Sequence, residues 1–484
     1  MTSGPPRRAC EMMLWFILFF GVAAFGATEW WSRSLLEFFI FILAAMCCLR
    51  GDFNPPAGGP LIGFMVIIAL GAAQALNVRP LAGPAGLLPF TAARPQTLYA
   101  LLLWAALAAL FWSASGILLW EGALRRLALA IFVIGLFIAV VGMLQRGQGN
   151  TAYYGLRPVR PGCNPFGPFV NYDDAANWMI GAIFIGAGFF AEQMLRRWRV
   201  HLADRAAQLA LAVFLLGVTI AAVLTTGSRG AINSFFGSVL LTGFLVAGSF
   251  KSSGQRRSSR ASLIVLGSLY AYFLYANPKM LGFAGGAFDA SAAYRVSMYR
   301  SGLRMFLDFP VLGVGLGGFQ NAFHAYQEHF VVGLVDHVHS SWLEVALESG
   351  ILGLLSFSTA ILAPLVRLGR SLTLGTRRPG VVTAAWFSAL FALLLHGLVE
   401  FTFQIPANVV LFVVTLAAVI ACLGGGSPST FRLGLAPAAA FVVLALLSLP
   451  PGVSGMSPRF GAPFVASGEQ LLARRDADAI NIHP

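Results

Sequence analysis

An all-α polytopic membrane protein with about 12–13 transmembrane helices and a large helical loop on one face is what the sequence predicts, and three observations predict it. The first is composition: 58% of the 484 residues are hydrophobic and 11% charged, with a mean hydropathy of +0.77, far outside the soluble globular range. The second is a series of thirteen apolar runs whose cores reach or approach the 17–25 residues needed to cross a bilayer. The third is the way Arg and Lys concentrate in alternate connections between those runs. The net charge, 32 − 19 = +13, follows from that topology and carries no implication of nucleic-acid binding. Membrane lipids are the expected surroundings.

The apolar runs cover 13–27, 35–49, 61–76, 98–120, 127–144, 175–195, 207–226, 231–250, 261–276, 351–368, 381–399, 409–423 and 433–449. The first follows Arg7 and Arg8 and ends in small residues. That is the outline of a signal peptide, but the many runs after it favour an uncleaved signal anchor. Threading the chain back and forth puts Arg50, Arg125, Arg126, Arg196, Arg256, Arg260, Arg370 and Arg377 on the same side as Arg7. All lie in short connections or at run ends, where the positive-inside bias is informative, so the N-terminus is expected in the cytoplasm. The outer side then receives the long segments 145–174 and 277–349 and the tail from 450. Long loops are uncommon without a function, and the site is expected among them. Residues 467–478 could form a short amphipathic helix. Of the five cysteines, Cys10, Cys47, Cys48 and Cys422 lie in or beside apolar runs and only Cys163 in a polar loop. They suggest neither a disulfide framework nor a metal site.

Five outer stretches carry polar groups in suggestive patterns. In GPFVNYDDAANW, residues 167–178, Asn171, Asp173, Asp174 and Asn177 stand where a helix enters the membrane. They can cap that helix or bind sugar. In TTGSRGA, residues 225–231, Arg229 is held in a Gly-flanked hairpin between two spans. A fixed guanidinium there can grip a phosphate through paired N–H donors. The stretch YRVSMYRSGLRMFL, residues 294–307, has helical spacing, so Arg295 and Tyr299 share a face, as do Arg300 and Arg304. Read blandly this is a basic surface helix. Read with Arg229, Arg295 and Arg300 complete a diphosphate clamp, with Arg295 the stronger candidate.

Residues 313–318, GVGLGG, match G-x-G-x-x-G literally. They follow a Pro-terminated helix rather than a strand, so a flexible turn is the better reading. In VDHVHSSWLEVALESGILGLLSF, residues 335–357, Ser341 and Glu344 have capping-box spacing, which predicts a helix from about Trp342. His339 would then sit just ahead of a helix N-terminus, whose partial positive charge disfavours imidazolium. A neutral ring beside His337 and Asp336 is a candidate proton acceptor. Last, His396 and Glu400 lie four apart at the end of a span, before FTFQIPAN. Ionisable groups at membrane depth are functional candidates, and these two could equally pair with each other or with an Arg of the site.

Taken in order, GPFVNYDDAANW, TTGSRGA, RVSMY followed by DFPVLGVGLGGF, HVHSSWLEVALESGILGLL and HGLVEFTFQIPAN resemble the O-antigen ligase and polymerase family of bacterial membrane glycosyltransferases. The resemblance covers residues 167–408. It implies a GT-C-like fold and transfer of a glycan from a polyprenyl (undecaprenyl) diphosphate carrier to a glycan or lipid acceptor, at the periplasmic face of the inner membrane. It also implies metal-independent inverting chemistry without a cofactor. Arg229 and Arg295 would bind the diphosphate and His339 would activate the acceptor hydroxyl. Asn171, Asp173, His337, Glu344, His396 and Glu400 would support the site or the acceptor. Asn is frequent in the family where this chain has Asp173, and after the histidine where it has Ser340. The implied organisation is N-terminal helices over 1–166, a catalytic core over 167–408 with its loop 277–349, further helices over 409–449 and a periplasmic tail over 450–484. A polyprenyl-linked glycan flippase or other transporter is the competing class. It should place ionisable groups near the membrane midplane, whereas here they gather on one face.

Overall fold

The computed structural model describes residues 5–50, 53, 55, 59–79, 88–159, 163–196, 202–249, 252–284, 287–327, 335–373, 380–424 and 435–449. The tail from 450, with the helix expected over 467–478, lies outside them. Helices dominate: α1 (Arg7–Ala23), α2 (Trp30–Cys48), α3 (Gly59–Leu76), α4 (Arg94–Ile117), α5 (Ala123–Gly147), α6 (Tyr172–Arg196), α7 (Leu202–Thr226) and α8 (Arg229–Ser249) come first. They are followed by α9 (Ser253–Ala276), α10 (Ala290–Asp308), α11 (Phe319–Phe323), α12 (Ser341–Thr373), α13 (Val381–Val399), α14 (Pro406–Cys422) and α15 (Leu435–Ser448). Two small antiparallel hairpins, Ala152–Tyr153 with Arg157–Pro158 and Phe283–Ala284 with Ala287–Phe288, are the only named strands among the described residues.

Each of the thirteen apolar runs forms a helix, and among the described residues nine of these are long and apolar enough to cross a membrane. The protein is an all-α polytopic membrane protein. The other helices miss that standard for simple reasons: α1 and α14 have 17 residues and α15 has 14, while α9 gives its first turns to Arg256, Arg257 and Arg260. Helix α14 is apolar on every side and buried from Pro406 to Ile420, as expected of a helix walled in by others. Helix α6 packs on α13 and α5. Small residues set how closely: a Cβ at Gly188 would lie 2.4 Å from Ala385 Cβ and one at Gly135 2.4 Å from Ala182 Cβ. Close backbone approach of this kind drives helix association in lipid, where apolar burial gives no advantage over lipid tails. Peripheral faces stay apolar, with Leu211, Val213 and Phe214 of α7 and Ile264, Leu269 and Tyr272 of α9 exposed.

Glu11 and Glu37 are carboxylates buried within the first two helices, where the charge pattern suggested almost none. Glu11 of α1 receives both arms of Arg126, at 2.7 Å each. Glu37 of α2 is fully buried and pairs with Arg33 at 2.9 Å. Each is neutralised by a guanidinium, the usual condition for a charge at membrane depth.

The glycine-rich stretch 313–318 is not the flexible turn expected. Gly313, Gly315 and Gly317 adopt φ of 68°, 108° and 66°, and each is pressed against another segment. A Cβ at Gly313 would fall 2.3 Å from the backbone carbon of Glu348, and one at Gly315 would fall 2.5 Å from Thr91 Oγ1. Gln74, fully buried in α3, clamps the loop: its Nε2 donates to Leu312 O at 2.7 Å and Glu348 O at 3.1 Å, and its Oε1 accepts from Leu316 N at 3.1 Å. The loop docks where α12 breaks at Gly350, with φ 63° and ψ −166°. It thereby fixes the first turns of α12. Gly313→Ala combines left-handed strain with a backbone collision and should cost about 2–5 kcal/mol, read as a fall in the thermal midpoint of the detergent-purified protein.

Candidate active site

Five segments meet at one end of the bundle: the start of α6, the α7–α8 turn, α10, the turn before α12 and the α13–α14 connection. The α7–α8 turn is built locally. Gly227 takes φ 77°, Thr226 Oγ1 accepts from Ser228 N at 3.1 Å, and Ser228 Oγ caps α8 by accepting from Ala231 N at 3.2 Å. Arg146, at the end of α5, donates to the carbonyls of Thr225 and Thr226, and so anchors the turn from outside. A Cβ at Gly230 would meet the His396 ring at 3.0 Å, so any larger residue would push on that ring. Arg229 is left projecting, and its Nη1 donates to Asp289 Oδ2 and, at 2.8 Å, to Lys279 O.

Helix α10 begins with Asp289 as its N-cap, accepting from Ala292 N at 2.8 Å. It carries Arg295 and Tyr299 on the face turned to the site. Arg295 Nη2 binds Glu400 Oε1, and its Nη1 donates to Val399 O at 3.3 Å. The other oxygen of Glu400 meets His339 Nδ1 at 3.1 Å. One carboxylate, 2% exposed, thus joins a guanidinium to an imidazole. Burial pushes the Glu400 carboxyl up, but the His339 hydrogen bond and the Arg295 charge outweigh it and hold the group below its usual range. In Arg295, burial works against the charge and the Glu400 carboxylate more than restores it. An ionised Glu400 requires a donor from His339, which assigns a proton to Nδ1; in the neutral form of the ring the lone pair then lies on Nε2.

His339 itself is held in an uncommon conformation. Its φ is 52°, in the left-handed region that is uncommon for a non-glycine residue although histidine visits it more than most, and such conformations concentrate at functional positions. Tyr299 Oη donates to His339 O at 2.8 Å. The ring stands edge-on to Phe401 at 5.0 Å and Tyr294 at 6.4 Å. Main-chain bonds secure the other half: Ser341 N and Oγ both donate to Glu400 O, at 3.0 and 2.9 Å, and Phe403 N donates to Ser341 Oγ at 3.0 Å.

Ser341 is therefore not the cap of α12. That place falls to Ser340, whose Oγ accepts from Leu343 N at 3.3 Å, because the Ser341 hydroxyl is engaged with the 400–403 turn. Glu344 does not close a capping box either. Its carboxylate turns back to His337 Nδ1 at 2.8 Å and Val338 N at 3.2 Å.

The remaining candidates sort by position. Tyr172 and Asp173 lie within electrostatic reach of Arg229, Arg295 and Glu400 together, so the two guanidiniums share one neighbourhood. Asn171 Oδ1 accepts from Asp173 N at 3.0 Å, which is the helix-entry role. Beneath lies a buried polar layer, with His396 Nδ1 at 3.1 Å from Asn177 Oδ1 and Asn408 Nδ2 donating to Asp174 Oδ1 at 3.2 Å. His396 and Glu400 do not pair through their side chains. Arg300 is exposed on α10 and is not brought to Arg229 and Arg295 by any described bond. His337 stacks on Phe401 at 4.7 Å, faces Glu344, and is likewise apart from the guanidiniums. Sequence reasoning missed Asp289 and Phe401 and treated Tyr299 only as a neighbour of Arg295. Among the described residues no group of three His, Cys, Asp or Glu is placed to hold a metal ion; the positive charge facing the site comes from Arg229 and Arg295.

His337 gives a pH test. Burial lowers its basicity, but the charge and hydrogen bond of Glu344 more than reverse this, so its folded pKa is raised. The stabilisation is then complete below the unfolded value of about 6.5 and is lost as pH rises through the folded value. Thermal midpoints should fall as the pH is taken from about 6 upward through that range, and the fall should shrink in His337→Phe.

The fold and the site together define a polytopic helical membrane protein with a polar, histidine-bearing centre at one end of its bundle. Residues 214–358 match the family model described as O-Antigen ligase (Wzy_C), a segment running from α7 through Arg229, α10 and His339 into α12. The match covers less than half of the chain and supports the family resemblance for that segment. Glu400 and Asn171 fall outside it. No curated protein matches the chain.

Proposed function

We propose that the protein transfers a glycan from a polyprenyl diphosphate carrier to an acceptor hydroxyl at the periplasmic face of the inner membrane, as a ligase or a polysaccharide polymerase. One observation carries the reading: Glu400 ties Arg295 to His339, so that a guanidinium and an imidazole are held at fixed separation, with Arg229 in the same neighbourhood. In this reading His339 Nε2 takes the proton of the attacking hydroxyl. The hydroxyl oxygen forms the new bond to the anomeric carbon as the bond to the diphosphate oxygen breaks. Arg229 and Arg295 take up the charge that develops on the departing diphosphate, the role a preorganised cation plays without reorganising during the reaction. Direct displacement of this kind inverts the anomeric centre and asks nothing of a metal or cofactor.

The arginine-rich short connections favour a cytoplasmic N-terminus, and the segments that meet at the site then fall on the opposite, periplasmic side. Reconstitution tests the function: purified protein in vesicles is given a polyprenyl-diphosphate glycan and candidate acceptors. Formation of a glycosidic bond with release of the carrier diphosphate is the expected result. Movement of the intact carrier-linked glycan across the bilayer with no bond formed would replace the reading with a flippase.

A further inference from the structure

The two site arginines each hold a carboxylate, and the two carboxylates are held very differently. Glu400 is 2% exposed, shared between Arg295 and His339, and its main chain is bonded on both sides, N to His396 O and O from Ser341. It is a permanent part of the framework. Asp289 is 23% exposed and sits where the chain enters α10. Its Oδ1 caps the helix by accepting from Ala292 N, while Oδ2 alone meets Arg229. Arg229, 30% exposed, is otherwise engaged only by Lys279 O among its described bonds. Breaking the Asp289–Arg229 contact therefore costs α10 nothing at its cap. A pair this accessible to solvent is screened more than the buried Glu400 pair.

We propose that Asp289 is a displaceable stand-in for the leaving group: its carboxylate occupies the Arg229 guanidinium until a diphosphate takes its place, and returns when the diphosphate departs. This rests on reading Arg229 as a diphosphate ligand. A monovalent carboxylate already on the guanidinium raises the threshold for any incoming anion. Singly charged groups such as headgroup phosphodiesters gain little by exchange, whereas a multiply charged diphosphate, also met by Arg295, gains more. The same carboxylate competes with the spent carrier and speeds its release. Asp289 is thus a positioning and selectivity residue that does not touch the reacting atoms.

The test uses full-length protein in detergent micelles, with inorganic pyrophosphate and a short-chain polyprenyl diphosphate as probes in calorimetric titration. Asp289→Asn removes the charge and keeps a good N-cap, so the thermal midpoint should hold while both probes bind about two- to fivefold tighter. Arg229→Ala should weaken binding about tenfold or more, and adding Asp289→Asn to it should give no further change, the signature of coupling. If Asp289→Asn binds no tighter while Arg229→Ala binds weaker, Asp289 is a cap alone and the stand-in role is wrong, with the reading of Arg229 intact. If Arg229→Ala binds both probes as the wild type does, the diphosphate reading of Arg229 falls and this inference with it.

Discussion

His339→Ala is expected to lower the rate of glycan transfer by about 10²–10⁴-fold, the range a positioned general base contributes, while donor binding stays close to wild type. In the proposed mechanism the diphosphate contacts are assigned to Arg229 and Arg295 and not to the ring, so kcat should fall far more than KM rises. Removing the ring also frees one oxygen of Glu400, but Arg295 still satisfies the other, so the fold should survive. Single-turnover transfer in vesicles, with donor binding measured on the same preparation, separates the two effects. A variant that bound donor and transferred it at the wild-type rate would show that the acceptor proton goes elsewhere.

Glu400→Gln should be nearly as damaging and for two reasons at once. A neutral amide can offer its N–H to His339, which permits the tautomer with the proton on Nε2 and removes the acceptor where it is needed; transfer should fall about 10²-fold or more. It also strips Arg295 of its countercharge inside the protein, and breaking a buried pair in this way costs about 3–5 kcal/mol. The thermal midpoint and the activity per folded molecule therefore fall together. Glu400→Asp, which keeps the charge on a shorter arm, should recover much of the stability and part of the rate. If Glu400 were scaffold only, Glu400→Gln would lose stability while each folded molecule turned over normally.

The transmembrane plan was legible because every span is an apolar run bounded by charge or by Pro and Gly, and each of the thirteen runs forms a helix. Residues of the candidate site could be picked out from the sequence, but not the bonds among them. Glu400 illustrates why. Its spacing from His396 places the two on one face only if the helix continues, but α13 stops at Val399 and Glu400 is extended, with φ −143° and ψ 158°. It swings instead to His339 and Arg295, partners 61 and 105 positions away, which no local pattern reveals. Ser341 misleads in the same way: its capping-box spacing is real, but its hydroxyl is taken by a main chain 59 positions distant. Arg300 could have been set aside from periodicity alone. Five residues from Arg295 on a helix turns it about 140° away, toward the exposed face.

The glycine-rich loop shows the opposite limit. Three glycines within six residues read as freedom, yet all three take positive φ and are packed against Glu348, Thr91 and Gln96 too closely to admit a Cβ. What turns them into a rigid support for α12 is Gln74, a single polar residue more than 230 positions earlier. A lone buried amide in an apolar span is a signal of such a contact, although nothing in the sequence says where the contact lies.

In the proposed mechanism the acceptor hydroxyl displaces the diphosphate directly at the anomeric carbon, with His339 accepting the hydroxyl proton and the two arginines receiving the diphosphate. The stereochemistry of the product tests it most directly. Nuclear magnetic resonance of the glycan joined to its acceptor, set against the carrier-linked donor, should show the anomeric configuration inverted. Retention of configuration would require a glycosyl-enzyme intermediate or another two-step route, for which the His339–Glu400–Arg295 arrangement offers no place, and would contradict the account.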